Sequence, residues 1–126
     1  DMIDNPPVFT MLNDKTYDFG TVQEGDKIEY TFKFKNTGKN DLIIRKTKAS
    51  CGCTAIAPKD KVIKPGQESS ITAVFNTKGK TGKQHKSITV TTNIPDTEGK
   101  PNKSQIILLL KGYVQSSSTG ENDPRK

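Results

Sequence analysis

Tryptophan is missing from this chain, and cysteine, histidine and arginine are nearly so: two Cys and one His among 126 residues. Of the twenty Lys and Arg, only Arg45 and Arg125 are arginine. Each scarcity excludes something. The two cysteines, Cys51 and Cys53, stand one residue apart, so they cannot be the widely spaced pair that staples the sheets of antibody-type domains, and the core tryptophan of those domains is absent too. A closed zinc site needs four ligands, and His85 is the only histidine available to join the cysteines. No apolar run approaches the roughly 20 residues that span a bilayer as a helix. No stretch repeats with helical period, so an all-β chain is expected.

Catalytic signatures are absent as well. The carboxylates of Asp18, Glu24, Asp26 and Glu29 scatter around turns rather than pairing for acid–base work. There is no Ser-His-Asp signature, no glycine-rich loop joining strand to helix, and no metalloprotease motif. An enzyme is not expected. Only 30% of the residues are hydrophobic and mean hydropathy is −0.71, which suits a small two-layer β domain with one wet face per sheet. Net charge is +6 and the isoelectric point is near 9.3. The charge is lysine spread along every segment, whereas nucleic-acid recognition favours clustered arginine among aromatic platforms. No nucleic-acid partner is expected, and the lysines read as solvated strand faces and edge protection. The chain begins at Asp1, which reads as a processed product with any signal or lipid-anchor cysteine upstream.

What is present is strand and turn. Residues 1–13 hold Pro6-Pro7, then Val8-Phe9 and Met11-Leu12, and read as an extended linker or edge segment. A first strand, Lys15 to Gly20, puts Tyr17 and Phe19 on one face and ends at the glycine; Glu24-Gly25-Asp26 is a turn. From Ile28 to Lys35 the alternation is strict, with Ile28, Tyr30, Phe32 and Phe34 on one face. Asn36 to Asp41 is rich in turn formers. Leu42-Ile43-Ile44 opens a strand that runs into Ser50-Cys51-Gly52-Cys53-Thr54.

Pro65-Gly66 has the composition of a turn centre, with proline fixing φ and glycine supplying a positive one. Ser69 to Thr77 alternates with Ile71, Ala73 and Phe75 inward. Lys78 to Lys83 reads as a flexible basic hairpin loop, and Lys86 to Asn93 as a strand with Ile88 and Val90 inward. Ser104 to Val114 is apolar on both faces, the mark of a central strand or one covered on its outer side; Val8-Phe9 is the expected cover. Residues 116–126 carry no apolar side chain and are expected to be disordered. About seven strands over residues 14–115, expected to run antiparallel, fit an immunoglobulin-like β-sandwich.

The cysteine motif leaves four readings open. A Cys51–Cys53 disulfide needs a kink at Gly52, because strand residues two apart lie about 6.6 Å from each other and the bond wants Cβ atoms about 3.5–4.5 Å apart. The thiolates suit a soft metal such as Cu(I). A redox dithiol is a third reading, although the known redox motif has wider spacing and opens a helix. The fourth is a packed turn in which cysteine serves as a small hydrophobe.

Several stretches together resemble the bacterial domain-of-unknown-function family 1573: Tyr17-Asp18-Phe19-Gly20-Thr21-Val22 with Gly25, Phe34-Lys35-Asn36-Thr37-Gly38, Leu42-Ile43-Ile44, Ser50-Cys51-Gly52-Cys53-Thr54, Pro65-Gly66 and Phe75-Asn76-Thr77. The family looks like a branch of the ASPM, SPD-2 and Hydin group of Ig-like domains, related in fold to major sperm protein. The resemblance covers Tyr17 to Val114. It implies an exported, seven-stranded sandwich of the periplasm or cell-envelope surface, often a lipoprotein, with no catalytic activity to transfer. The expected function is a non-catalytic binding or structural module for a protein or glycan partner. The alternative is a thiol or metal handler that uses Cys51 and Cys53.

Overall fold

Strict two-residue alternation commits a segment to a sheet with one face buried, because a slip of one residue would turn every apolar side chain outward. The computed structural model describes residues 5–50, 52–96 and 103–116, and these form strands without a helix. They are β1 (Phe9–Met11), β2 (Thr16–Gln23), β3 (Lys27–Asn36), β4 (Leu42–Ala49), β5 (Cys53–Ile56), β6 (Val62–Ile63), β7 (Glu68–Asn76), β8 (Gly82–Thr92) and β9 (Gln105–Gln115). A four-stranded sheet runs β1-β3-β7-β5 and faces a five-stranded sheet, β2-β9-β8-β4-β6.

The alternating side chains meet where their spacing sends them. Phe32 and Phe34 from β3, Ile71 and Phe75 from β7, Leu42 and Ile44 from β4, Ile88 and Val90 from β8, and Leu108 and Leu110 from β9 are all buried between the sheets. Each such side chain contributes about 1.5–3 kcal/mol through burial. Aromatic rings extend the core: Phe9 stacks on Phe34 and Tyr17 on Tyr30, with ring centroids 4.2 and 4.0 Å apart.

Several elements differ from expectation. Residues 9–11 form the edge strand of the four-stranded sheet, as one of the two expected readings had it, since β1 pairs antiparallel with β3 alone. Phe9 therefore packs into the core from the four-stranded sheet and does not cover the outside of β9, where Ile107 is 44% exposed. β9 is interior to its sheet, between β2 and β8, with its outer face uncovered at Ile107. β2 does not stop at Gly20; a register shift between Asp18 and Gly20 absorbs one residue and pairing continues to Gln23. β2 also runs parallel to β9, against the expectation of antiparallel strands throughout. No hairpin joins these two strands: β2 leaves its sheet through the Glu24–Asp26 turn into β3, so its direction is not tied to that of β9.

β8 begins at Gly82, within the stretch expected as loop, because β9 extends far enough for Val114 to pair with it. The Pro65-Gly66 turn is as expected. Gly66 has φ 82°, and the Gln67 N–H donates to the Lys64 carbonyl at 2.9 Å. The tail expected from Ser116 onward lies outside the described residues after that first position.

Candidate functional site

Three places carry unspent chemistry: the cysteine turn, the edge strand it opens, and the outer face of the five-stranded sheet. The cysteine turn is built from its neighbours. Ser50 extends the β4–β8 ladder, donating its N–H to the Ser87 carbonyl at 2.9 Å and accepting the Ser87 N–H on Oγ at 3.0 Å. The Cys53 N–H donates back to the Ser50 carbonyl at 3.0 Å, closing a four-residue turn. Gly52 sits third in it with φ 89°, a conformation that favours glycine. The space over Gly52 is taken: a Cβ there would lie 3.2 Å from Cε of Lys80.

Cys53 carries a free thiol and is half-buried against the core. Cys51, the other half of the disulfide, metal and redox readings, lies outside the described residues. Cys53 pairs with Phe75 across β5 and β7, and the Lys86 ammonium stands 5.4 Å from the centroid of that ring. Burial pushes the Cys53 thiol above its ordinary value, and the positive charge of Lys86 partly opposes this. The thiolate is the nucleophile and metal ligand, so this surrounding works against thiolate chemistry at neutral pH. His85 cannot join Cys53, since it is exposed on the outer side of β8. Among the described residues no group of three or more His, Cys, Asp or Glu gathers.

β5 is an edge strand paired only with β7. In an antiparallel pair, residues alternate between exchanging main-chain hydrogen bonds with the partner and directing those groups away from it. The Asn76 N–H donates to the Gly52 carbonyl at 3.4 Å, which sets the phase of this ladder. Thr54 and Ile56 are then bonded to β7, and the N–H and C=O of Ala55 point to the open edge. Thr54 and Ile56 lie on the outer face of the sheet, and Ile56 is 53% exposed.

The longest edge strand, β2, is blunted. Its bulge and its charged Asp18, whose Oδ1 accepts the Gly20 N–H at 2.9 Å, are devices that discourage strand addition. Sequence alone named the cysteine turn but not β5, because edge status is a property of topology.

Topology also sorts the lysines that read as dispersed. Lys46 and Lys48 on β4, Lys83 and His85 on β8, and Lys111 on β9 are all exposed, and register sets them on the outer face of the five-stranded sheet. Asp18 is the one strand-borne carboxylate there. The opposite sheet mixes Lys27, Lys33 and Lys35 with Glu29 and Glu68.

With this geometry in hand, a family model described as a protein of unknown function (DUF1573) matches residues 10–113. The chain belongs to this family. No curated protein matches it in sequence. Among solved structures it is similar to a protein of unknown function from Porphyromonas gingivalis W83, at 16% identity and a TM-score of 0.67, over 85% of this chain and 46% of that one. The DUF1573 chain thus spans under half of that protein's length.

It is similar also to the ASH/PapD-like domain 7 of human CEP192, at 12% identity and a TM-score of 0.58, over 86% of both chains. A third likeness is to the periplasmic chaperone SfaE, at 8% identity and a TM-score of 0.51, over 87% of this chain and 58% of that one. At these identities the likenesses establish the fold alone, an Ig-like β-sandwich. No helix among the described residues is long and apolar enough to cross a membrane.

Proposed function

We propose that this DUF1573 domain is a non-catalytic binding module that takes up an extended polypeptide segment as an added strand along β5, directly beyond Cys53. The observation that carries the reading is the open edge at Ala55 beside the half-exposed Ile56. Strand addition draws affinity from main-chain hydrogen bonds and specificity from alternate side chains. The N–H and C=O of Ala55 supply the first. Ile56, flanked on its outer face by Thr72 of β7, supplies an apolar contact for the second, so the partner segment carries an apolar residue opposite it.

The periplasm or envelope surface implied by the family resemblance belongs to the same proposal. The rival reading, Cu(I) binding or disulfide exchange at Cys51 and Cys53, has the raised Cys53 thiol against it.

The test is selection of extended peptides from a random displayed library on the whole chain, followed by amide hydrogen exchange with the selected peptide. Protection gained at Ala55, and loss of binding in Ile56→Lys, support the reading. Selected peptides that protect only other strands, or a selection that yields none, contradict it.

A further inference from the structure

We propose that the groove on the outer face of the five-stranded sheet, away from β5, is a binding site for an acidic oligosaccharide. Two cross-strand rows build it. Register aligns Asp18, Lys111 and His85 in one row, and Thr21, Tyr113 and Lys83 in the next. Between them Gly20 lies opposite Gly112, a pair in the phase of the inner face, where a Cβ on Gly112 would meet the Phe19 ring. The bulge between Asp18 and Gly20 bends β2 at this point. The depression has a volume of about 630 Å³, within the range of sites that hold small ligands or short oligomers.

Its walls are chemically mixed in a way that selects among anions. Tyr113 is 48% exposed, and its ring offers an apolar face on which the C–H side of a pyranose can stack while the hydroxyl stays in water. The ammonium groups of Lys83 and Lys111 and the imidazole of His85 make no ion pair or hydrogen bond among the described residues. The two ammonium groups are positive donors available to a carboxylate or sulfate, and the imidazole is a further hydrogen-bonding group beside them.

Asp18 decides the class. One of its oxygens holds the Gly20 N–H; the other has no partner among the described residues and stands beside Lys111 in the same row. A polyphosphate backbone passing over this row has no hydrogen-bond donor to offer that carboxylate. A sugar carries hydroxyl donors for Asp18 together with an acidic group for the lysines, and it uses both. A single stacking aromatic, rather than a series of them, likewise fits one or two sugar rings better than a run of bases.

The test is an NMR titration of the ¹⁵N-labelled whole chain with tetragalacturonate, an alginate tetramer and a heparin tetrasaccharide. Neutral maltotetraose, oligodeoxythymidylate and an oligoglutamate peptide serve as comparators. At least one acidic oligosaccharide is expected to shift the amides of Lys83, His85, Lys111 and Tyr113 while leaving β5 unmoved. Maltotetraose is expected to bind at least about tenfold more weakly, and Tyr113→Ala and Lys111→Ala each to weaken binding by about tenfold or more. Both substituted residues are exposed, so folding is retained, and Lys33→Ala on the other sheet is expected to bind as the parent does.

The proposal is overturned if no acidic oligosaccharide shifts these amides or if Tyr113→Ala binds unchanged. It is overturned equally if oligodeoxythymidylate or oligoglutamate binds as tightly as the best sugar, which would make this a general polyanion face. None of these outcomes bears on strand addition at β5.

Discussion

The side-chain amide of Asn36 donates to the main-chain carbonyl of Ile63 at 2.9 Å, deep inside the sandwich. The same nitrogen donates to the Asn40 carbonyl at 2.8 Å. Its Oδ1 accepts the Gly38 N–H at 2.9 Å and the Val8 N–H at 3.2 Å. One fully buried side chain thus ties together the leading segment, the β3–β4 turn and β6, with its hydrogen-bonding capacity spent. Gly38 belongs to the same junction: a Cβ there would meet the Pro6 carbonyl oxygen at 2.3 Å.

Asn36→Ala leaves buried donors and acceptors without partners, and each such group costs its desolvation. The expected loss is about 2–4 kcal/mol of stability, read from the midpoint of urea unfolding at unchanged slope. A loss under about 0.5 kcal/mol, the size of an ordinary surface substitution, would mean that water replaces the amide.

Gly112 lies against Phe19 so closely that a Cβ would come 2.3 Å from the ring and 2.7 Å from the Gly20 carbonyl oxygen. Gly112→Ala is expected to destabilise by about 1–3 kcal/mol through overpacking. Phe19→Ala removes the ring but not the carbonyl, so the double variant is expected to lose less than the two single losses added together. Strict additivity in the double-mutant cycle would contradict this contact.

The Cys53 thiol titrates above its ordinary value because it is desolvated, with Lys86 opposing. In a Cys51→Ser background, alkylation of Cys53 by iodoacetamide is expected to rise with pH later than that of N-acetylcysteine. Lys86→Met should delay it further. The sign for stability follows from linkage. The unfolded chain releases this proton first, so the contribution is intact below the thiol's unfolded value. It is lost as pH climbs through that value toward the folded one. Cys53→Ala is expected to flatten this alkaline decline, measured by unfolding between neutral and alkaline pH.

The strands of this fold were legible where burial imposes period two: Ile28, Tyr30, Phe32 and Phe34 of β3, and Ile71, Ala73 and Phe75 of β7, all read as inward and are inward. Asn36 and Gly38 read only as turn formers, since their partners Val8, Ile63 and Pro6 are fixed by tertiary structure. The parallel run of β2 beside β9 leaves no local trace, because parallel pairing is set by the path of the chain between them. Lysines on β4, β8 and β9 looked scattered for the same reason: each strand contributes one or two, and only their adjacency makes a face. The resemblance to family 1573 rested on motifs that the structure explains as packing at Phe19, Asn36, Gly38 and Phe75. That leaves the cysteine turn as the motif whose residue types the fold alone does not require.

The most direct test of strand addition is a proline placed at the one residue whose N–H faces the open edge. In Ala55→Pro no ladder hydrogen bond to β7 is lost, and proline is compatible with an edge strand whose N–H faces solvent, so the chain is expected to fold with little change in its unfolding midpoint. Binding of the library-selected peptide, measured by calorimetry on the whole chain, should fall by at least about tenfold, because the incoming strand loses its main-chain donor and meets the ring. A folded Ala55→Pro chain that binds the peptide as tightly as the parent would contradict docking at β5.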